Sequence, residues 1–316
     1  MSSRKTLIIK ALVSILALQA VLSACSGEGG PAAVRAGEAE LARAGKVAFE
    51  QARAIDARPF LGEHELLKSV SEETWAALGL VEAGDGTSVG GDPIKGIVVP
   101  HHAAAAALSA NLVSRLAERH PPAVIILAPN HYNTGPEIIS TTSDFMCYGK
   151  RVLADAAAVE RLGREGLAVI SDEPFEREHS VGMLLPIIAW YLPDAEVIPV
   201  IFHHGTDEGR ILAVLDALAP EIDAGAVVIA SIDFSHYLTL AEAEGKDKEM
   251  RRYLEDGDYS AISKLDSSYI DSPTIMAAML MHFGTDGMEI VANTNSGILM
   301  HNPVSPCTSY FTIQFM

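Results

Sequence analysis

Positive charge is scarce in this chain: 23 Lys and Arg stand against 41 Asp and Glu in 316 residues, a formal net charge of −18. Nucleic-acid binding needs clustered Lys and Arg to neutralise phosphates, and no such cluster occurs. An anionic membrane surface is disfavoured on the same ground. Cysteine is scarcer still. Cys25, Cys147 and Cys307 show no Cys-x-x-Cys spacing, which excludes a zinc ribbon or an iron–sulfur framework built from this chain alone. Cys147 and Cys307 could pair in an oxidising compartment, although nothing in their spacing requires it. The chain also lacks a regular internal repeat and a low-complexity domain. What is present is 49% hydrophobic and 20% charged, enough for one sizeable core or two small ones.

The N-terminal residues are not expected to belong to the fold. Arg4, Lys5 and Lys10 lead into an uncharged apolar run from Ala11 to Ala24. A bilayer span takes about 20 apolar residues, so the run fits the apolar centre of a secretory signal instead. Leu22-Ser23-Ala24-Cys25 resembles the lipobox of bacterial lipoproteins. That resemblance implies a signal peptide over residues 1–24, lipidation of Cys25, and a protein exported and lipid-anchored to the bacterial cell envelope, with the anchor as its membrane contact. A plain signal peptide is the alternative. Residues 25–93 read as a tether and an N-terminal helical segment. Ser26 to Ala33 is flexible by composition, and Val34 to Arg58 places Leu41, Val47 and Phe49 at helical spacing. Ser71, followed by Glu72 and Glu73, has the form of a second helix start.

From Ile94 to Met316 strands alternate with helices, the rhythm of an α/β fold whose central sheet is covered by helices on both faces. Short runs of β-branched and leucine residues mark strands buried on both faces. They are Gly96–Pro100, Ala123–Pro129, Ala195–Phe202 and Ala226–Ala230. Helices are expected over Ala103–Glu118, Ala154–Gly166, Ser180–Tyr191 and Glu208–Ala219. Each of the four strands runs out into a histidine or an aspartate: His101-His102, His131, His203-His204, and Asp233 with His236. Open α/β sheets bind ligands at the carboxyl ends of their strands. A histidine delivered there by two neighbouring strands is therefore a candidate metal ligand, although an ordinary turn histidine would look the same.

Four motifs in order resemble the Memo family, which includes the proteins named AmmeMemoRadiSam system protein B. They are Gly96-Ile-Val-Val-Pro-His101, Leu127-Ala-Pro-Asn-His131, Glu178-His-Ser180 and Ser231-Ile-Asp-Phe-Ser-His236. The resemblance implies a single α/β domain over 94–316, similar in fold to the class III extradiol dioxygenases. It implies that His101 and His131 bind a metal, and that His179, Asp233 and His236 line the pocket in catalytic roles. The chain departs from the family pattern twice. Gly182 and Leu184 stand where the family usually carries an acid and a histidine. Tyr269-Ile-Asp271-Ser-Pro stands where its third ligand is typically a cysteine. Two histidines and a carboxylate form the facial set that holds ferrous iron with open positions, so Asp271 can complete the site. Equally, Asp271 can cap the helix beginning at Pro273.

The expected cofactor is a divalent metal ion, with iron favoured and zinc or copper allowed because ferrous iron is scarce outside the cytoplasm. Two functions follow from the resemblance. One is a metal-dependent enzyme on a small molecule, either an oxygenase or a hydrolase using a metal-activated water. The other is a non-catalytic metal-binding or partner-binding protein, whose partner the sequence does not name.

Overall fold

Residues 60–61, 93–302 and 306–316 are described by the computed structural model, and their strands follow the apolar runs closely. The strands are β1 (Phe60–Leu61), β2 (Gly96–Val99), β3 (Ala123–Asn130), β4 (Ile138–Ser140), β5 (Asp144–Cys147), β6 (Lys150–Val152), β7 (Val169–Ile170), β8 (Glu196–His203), β9 (Val227–Ser231), β10 (Met288–Asn295) and β11 (Ser309–Phe315). Eight of them form one sheet in the order β10-β11-β2-β9-β3-β8-β4-β7, while β1, β5 and β6 make a small second sheet. The four strands expected from sequence, β2, β9, β3 and β8, are adjacent and parallel. Antiparallel β11 and β10 extend one side, and antiparallel β4 extends the other.

The helices are α1 (Ala106–Ser114), α2 (Ala156–Arg164), α3 (His179–Gly182), α4 (Leu185–Tyr191), α5 (Glu208–Ala217), α6 (Ala219–Asp223), α7 (Leu240–Glu255), α8 (Tyr259–Ile262), α9 (Pro273–Phe283) and α10 (Ser296–Leu299). Along β3, Ile125 and Leu127 join a core with Val159 of α2, Val214 of α5, Met250 of α7 and Met276 of α9. The alternate residues Val124, Ile126 and Ala128 join a second core with Leu112 of α1 and Leu185 and Ile188 of α4. Side chains alternate across a strand, so a strand covered on both faces has no polar position until it leaves the sheet. The α/β class with helices on both faces of a central sheet is the architecture observed.

Two local differences from the expected elements are observed. The single helix expected over Ser180–Tyr191 is divided into α3 and α4. Pro186 lies in the first turn of α4, where it supplies no N–H and its ring would clash with the carbonyl four residues back. The helix expected over Ala103–Glu118 is α-helical only from Ala106 to Ser114, with 3-10 turns at Ala103–Ala105 and Ala117–Arg119.

The compact unit that holds both sheets runs from Phe60 to Met316, because β1 pairs in parallel with β5. The expected signal peptide, Cys25, the tether and the two N-terminal helices lie outside the described residues. Among the described residues no helix is long and apolar enough to cross a membrane. Cys147 and Cys307 are buried thiols rather than a disulfide.

Candidate metal centre

Parallel pairing sends the carboxyl ends of β2, β9 and β3 to the same edge of the sheet. His101 follows β2, Asp233 follows β9 and His131 follows β3, so three chemistry-bearing residues leave three adjacent strands together. The other groups arrive from outside the sheet. Glu178 and His179 stand at the start of α3, and Asp271 lies in the loop before α9. The Asp271 loop is tied to the β9 exit by two bonds: Asp271 N–H donates to the Asp233 carbonyl at 3.0 Å, and Asp233 N–H donates to Asp271 Oδ2 at 3.2 Å.

The side chains converge. His101 Nε2 lies 3.4 Å from Asp271 Oδ2 and 3.6 Å from Asp233 Oδ2, and His131 Nε2 lies 3.8 Å from the same Asp271 oxygen. The His131 and His179 rings stack with centroids 4.1 Å apart, and the His101 ring meets the two edge-on at 5.0 and 5.3 Å. One nitrogen from each of His101, His131 and His179 lies within 4.8 Å of the other two. With metal–nitrogen bonds of about 2 Å, these three histidines could form a metal site.

Hydrogen bonding decides which nitrogen is available. Ser231 Oγ donates its proton to the Ser180 carbonyl at 2.7 Å, so it can only accept from His101 Nδ1, 3.0 Å away. His131 Nδ1 donates to Glu178 Oε1 at 2.7 Å. Both imidazoles therefore carry their proton on Nδ1 and leave the Nε2 lone pair facing Asp271. Fixing the outer nitrogen of a ligating histidine in this way is the usual support of a metal site. Asp271 Oδ1 is buried with no hydrogen-bond partner among the described residues, and Oδ2, the oxygen facing both imidazoles, accepts the Asp233 N–H. A buried carboxylate so sparsely satisfied is costly, and a cation bound by it would offset that cost. The residues present fit a divalent ion.

The electrostatics agree with a site built for positive charge. Burial, together with the neighbouring imidazoles, holds His101 well below its usual range and so neutral. Burial pushes Asp271 up to about 7. Burial and the nearby Asp271 charge raise Asp233 well above the ordinary carboxylate range. Burial alone would lower His131, but the Glu178 hydrogen bond and the charges of Glu178, Asp271 and Asp233 together raise it.

Among the residues anticipated from sequence, His101, His131, His179, Asp233 and Asp271 meet. Asp271 makes no capping bond, because Ser272 takes the cap position of α9. His236 forms no ring contact or ion pair with the others among the described residues. Its Nδ1 is buried without a hydrogen-bond partner, and burial lowers it to about 4. His203 and His204 line an adjoining cleft with Pro129, Asp271 and Pro273. The His203 ring nitrogen donates to the Thr134 carbonyl. His301 is exposed. Gly182 and Leu184 are buried, and Leu184 is part of the apolar core.

Two supporting residues carried no assignment from sequence. Glu178 is 1% exposed and accepts from His131 N–H at 2.8 Å, His131 Nδ1 at 2.7 Å and Ser180 N–H at 3.0 Å. Ser231 bridges His101 to α3. The available signal for Glu178 was an acid placed directly before His179.

A family model described as Memo-like protein matches residues 78–303. A MEMO1 family protein of Caldivirga maquilingensis is 28% identical over 192 residues, 56% of this chain and 66% of that protein. The chain thus spans just under two thirds of that relative. A MEMO1 family protein of Pyrobaculum aerophilum is 29% identical over 252 residues, 75% of this chain and 88% of that protein. The solved structure of an uncharacterized Escherichia coli K12 protein covers 71% of this chain and 100% of its own, with a TM-score of 0.48 and 13% identity. With a family model covering most of the α/β unit and the histidine cluster inside it, this chain belongs to the Memo-like protein family.

Proposed function

We propose that this chain is a metal-dependent enzyme acting on a small molecule, with His101, His131 and Asp271 as its metal ligands. One observation carries the proposal. The unprotonated Nε2 atoms of both histidines lie within 3.4 and 3.8 Å of a single carboxylate oxygen, while their Nδ1 protons are held elsewhere. Two histidines and a carboxylate leave further coordination positions open, which an enzyme needs and a storage site does not. When bound, a divalent ion would supply Lewis-acid activation of water or of a substrate oxygen, and ferrous iron would add dioxygen chemistry. Iron is favoured by the donor set; zinc and copper suit it as well.

The chain's own residues supply the rest. His179 stacks on His131 and keeps 29% of its side chain exposed, so it can pass a proton to or from a substrate at the mouth. Asp233 Oδ1 accepts the His101 backbone N–H at 3.1 Å and orients that ligand. His236, whose charge is felt at His101, is the second acid–base candidate. A non-catalytic metal-binding role is the second reading, favoured by buried Gly182 and Leu184 where family members carry polar groups. The residues before Cys25 support a further part of the proposal: the protein is exported and lipid-anchored in the bacterial cell envelope, with a small molecule as partner of the site.

The test is metal content and affinity on purified protein. His101→Ala, His131→Ala and Asp271→Ala should each lose the ion, whereas His179→Ala should keep the ion and lose turnover. A His101→Ala, His131→Ala double variant that binds metal as the wild type does would refute the assignment.

A further inference from the structure

We infer that Tyr310 is a positioning residue of the metal centre: its phenol, carried on β11, holds His102 and thereby sets the turn that aims His101. The inference rests on the metal reading above and extends it to a strand that carries no ligand. β11 runs antiparallel to β2, with Ile313 opposite Val98 and Phe315 opposite Gly96. Continuing that register places Tyr310 beside the Pro100-His101-His102 turn. Its ring is fully buried, and its hydroxyl lies 2.5 Å from His102 Nδ1.

Why a buried phenol should be placed there follows from the rest of the turn. Pro100 accepts from Ser109 Oγ at 2.6 Å, and His101 is held by Asp233 and Ser231 as described. His102 is exposed overall; its backbone bonds to Asp233, and the Tyr310 hydroxyl anchors its ring. Tyr310 is itself immobilised: its backbone pairs with Thr294 of β10, and its carbonyl accepts from Asn293 Nδ2 at 3.2 Å. The metal ligand on β2 is thus braced from the antiparallel side of the sheet, and a misplacement of His101 by a fraction of an ångström would move its lone pair off the shared point.

The experiment uses the full chain, stripped with a chelator and titrated with zinc alone. Tyr310→Phe and His102→Ala should each weaken zinc about tenfold, the lower end for residues that orient metal ligands. Their double variant should be no weaker than either single variant, because both remove one bond. His102→Asn, whose amide oxygen stands close to the place of Nδ1, should restore wild-type affinity. Zinc binding by Tyr310→Phe within twofold of wild type, or additive losses in the double variant, would overturn this inference alone. Wild-type protein that binds no zinc would overturn the metal reading with it. If Tyr310→Phe fails to fold, His102→Ala and His102→Asn, both at an exposed position, decide the question by the same affinities.

Discussion

Replacing Glu178 with Gln separates a residue that shapes the metal site from one that merely ends a helix. The wild-type carboxylate accepts three hydrogen bonds while almost wholly buried: His131 Nδ1 and Ser180 N–H on Oε1, and His131 N–H on Oε2. Glutamine keeps one acceptor oxygen. With that oxygen serving the Oε1 pair, its NH2 faces the His131 backbone N–H, and two donors meet with no acceptor between them. A buried donor left unsatisfied costs about 1–3 kcal/mol, which lowers the melting temperature by roughly 2–4 °C per kcal/mol in a domain of this size. The His131 proton also loses a charged acceptor. Changes of this kind typically cost 10–100-fold in metal affinity, or about 1.4–2.7 kcal/mol. Calorimetric titration of the chelator-stripped protein with zinc measures the affinity, and a thermal scan without metal measures stability. Glu178 also caps α3 through Ser180, and a cap by itself is worth about 1 kcal/mol of stability with no effect on metal. A lowered melting temperature with unchanged zinc affinity would therefore refute the assignment of Glu178 to the site.

Other predictions are independent of Glu178. Asp271→Ala should lower metal occupancy about as much as His131→Ala; full occupancy with reduced stability would make Asp271 a structural residue only. Asp247, buried on α7 and hydrogen-bonded by Asn293, is pushed by burial up to about 6. Its folded pKa thus lies above the unfolded value of about 3.9, so the stability it contributes is complete below about pH 4 and is lost as pH rises through about 6. The loss is on the order of 3 kcal/mol at most. Asp247→Asn should remove that part of the pH dependence in urea unfolding at pH 4 and pH 7.5; identical slopes in the two proteins would count against it. Cys25→Ser should leave the protein unprocessed or release it from the membrane fraction, and mass spectrometry finding an unmodified Cys25 on mature wild-type protein would end the anchor proposal.

The local chemistry was written in the chain. Gly96–Val99, Ala123–Pro129 and Ala226–Ala230 have no polar residue to offer either face, and Ala195–Phe202 has only Glu196 at its start, so they read as central strands, and the α/β class follows from their alternation with helices. A histidine or aspartate just past such a strand must emerge at the sheet edge, which is why His101, His131 and Asp233 were legible as a set. The antiparallel additions were not. Met288–Asn295 is half-buried and mixed in polarity, and its strand state depends on pairing with β11, a partner about twenty residues away. Asp271 could be read from its neighbours as either a cap or a ligand. Only the tertiary fold, which brings the loop before α9 against the β9 exit, sets its carboxylate between two imidazoles. The same holds for Glu178, Ser231 and Tyr310. Their roles lie in hydrogen bonds spanning 47, 130 and 208 residues of chain, and periodicity in a sequence window cannot reach that far. Residue type and strand pattern determined what could be delivered to the edge of the sheet; packing of distant segments decided which nitrogens face the ion and which are held away from it.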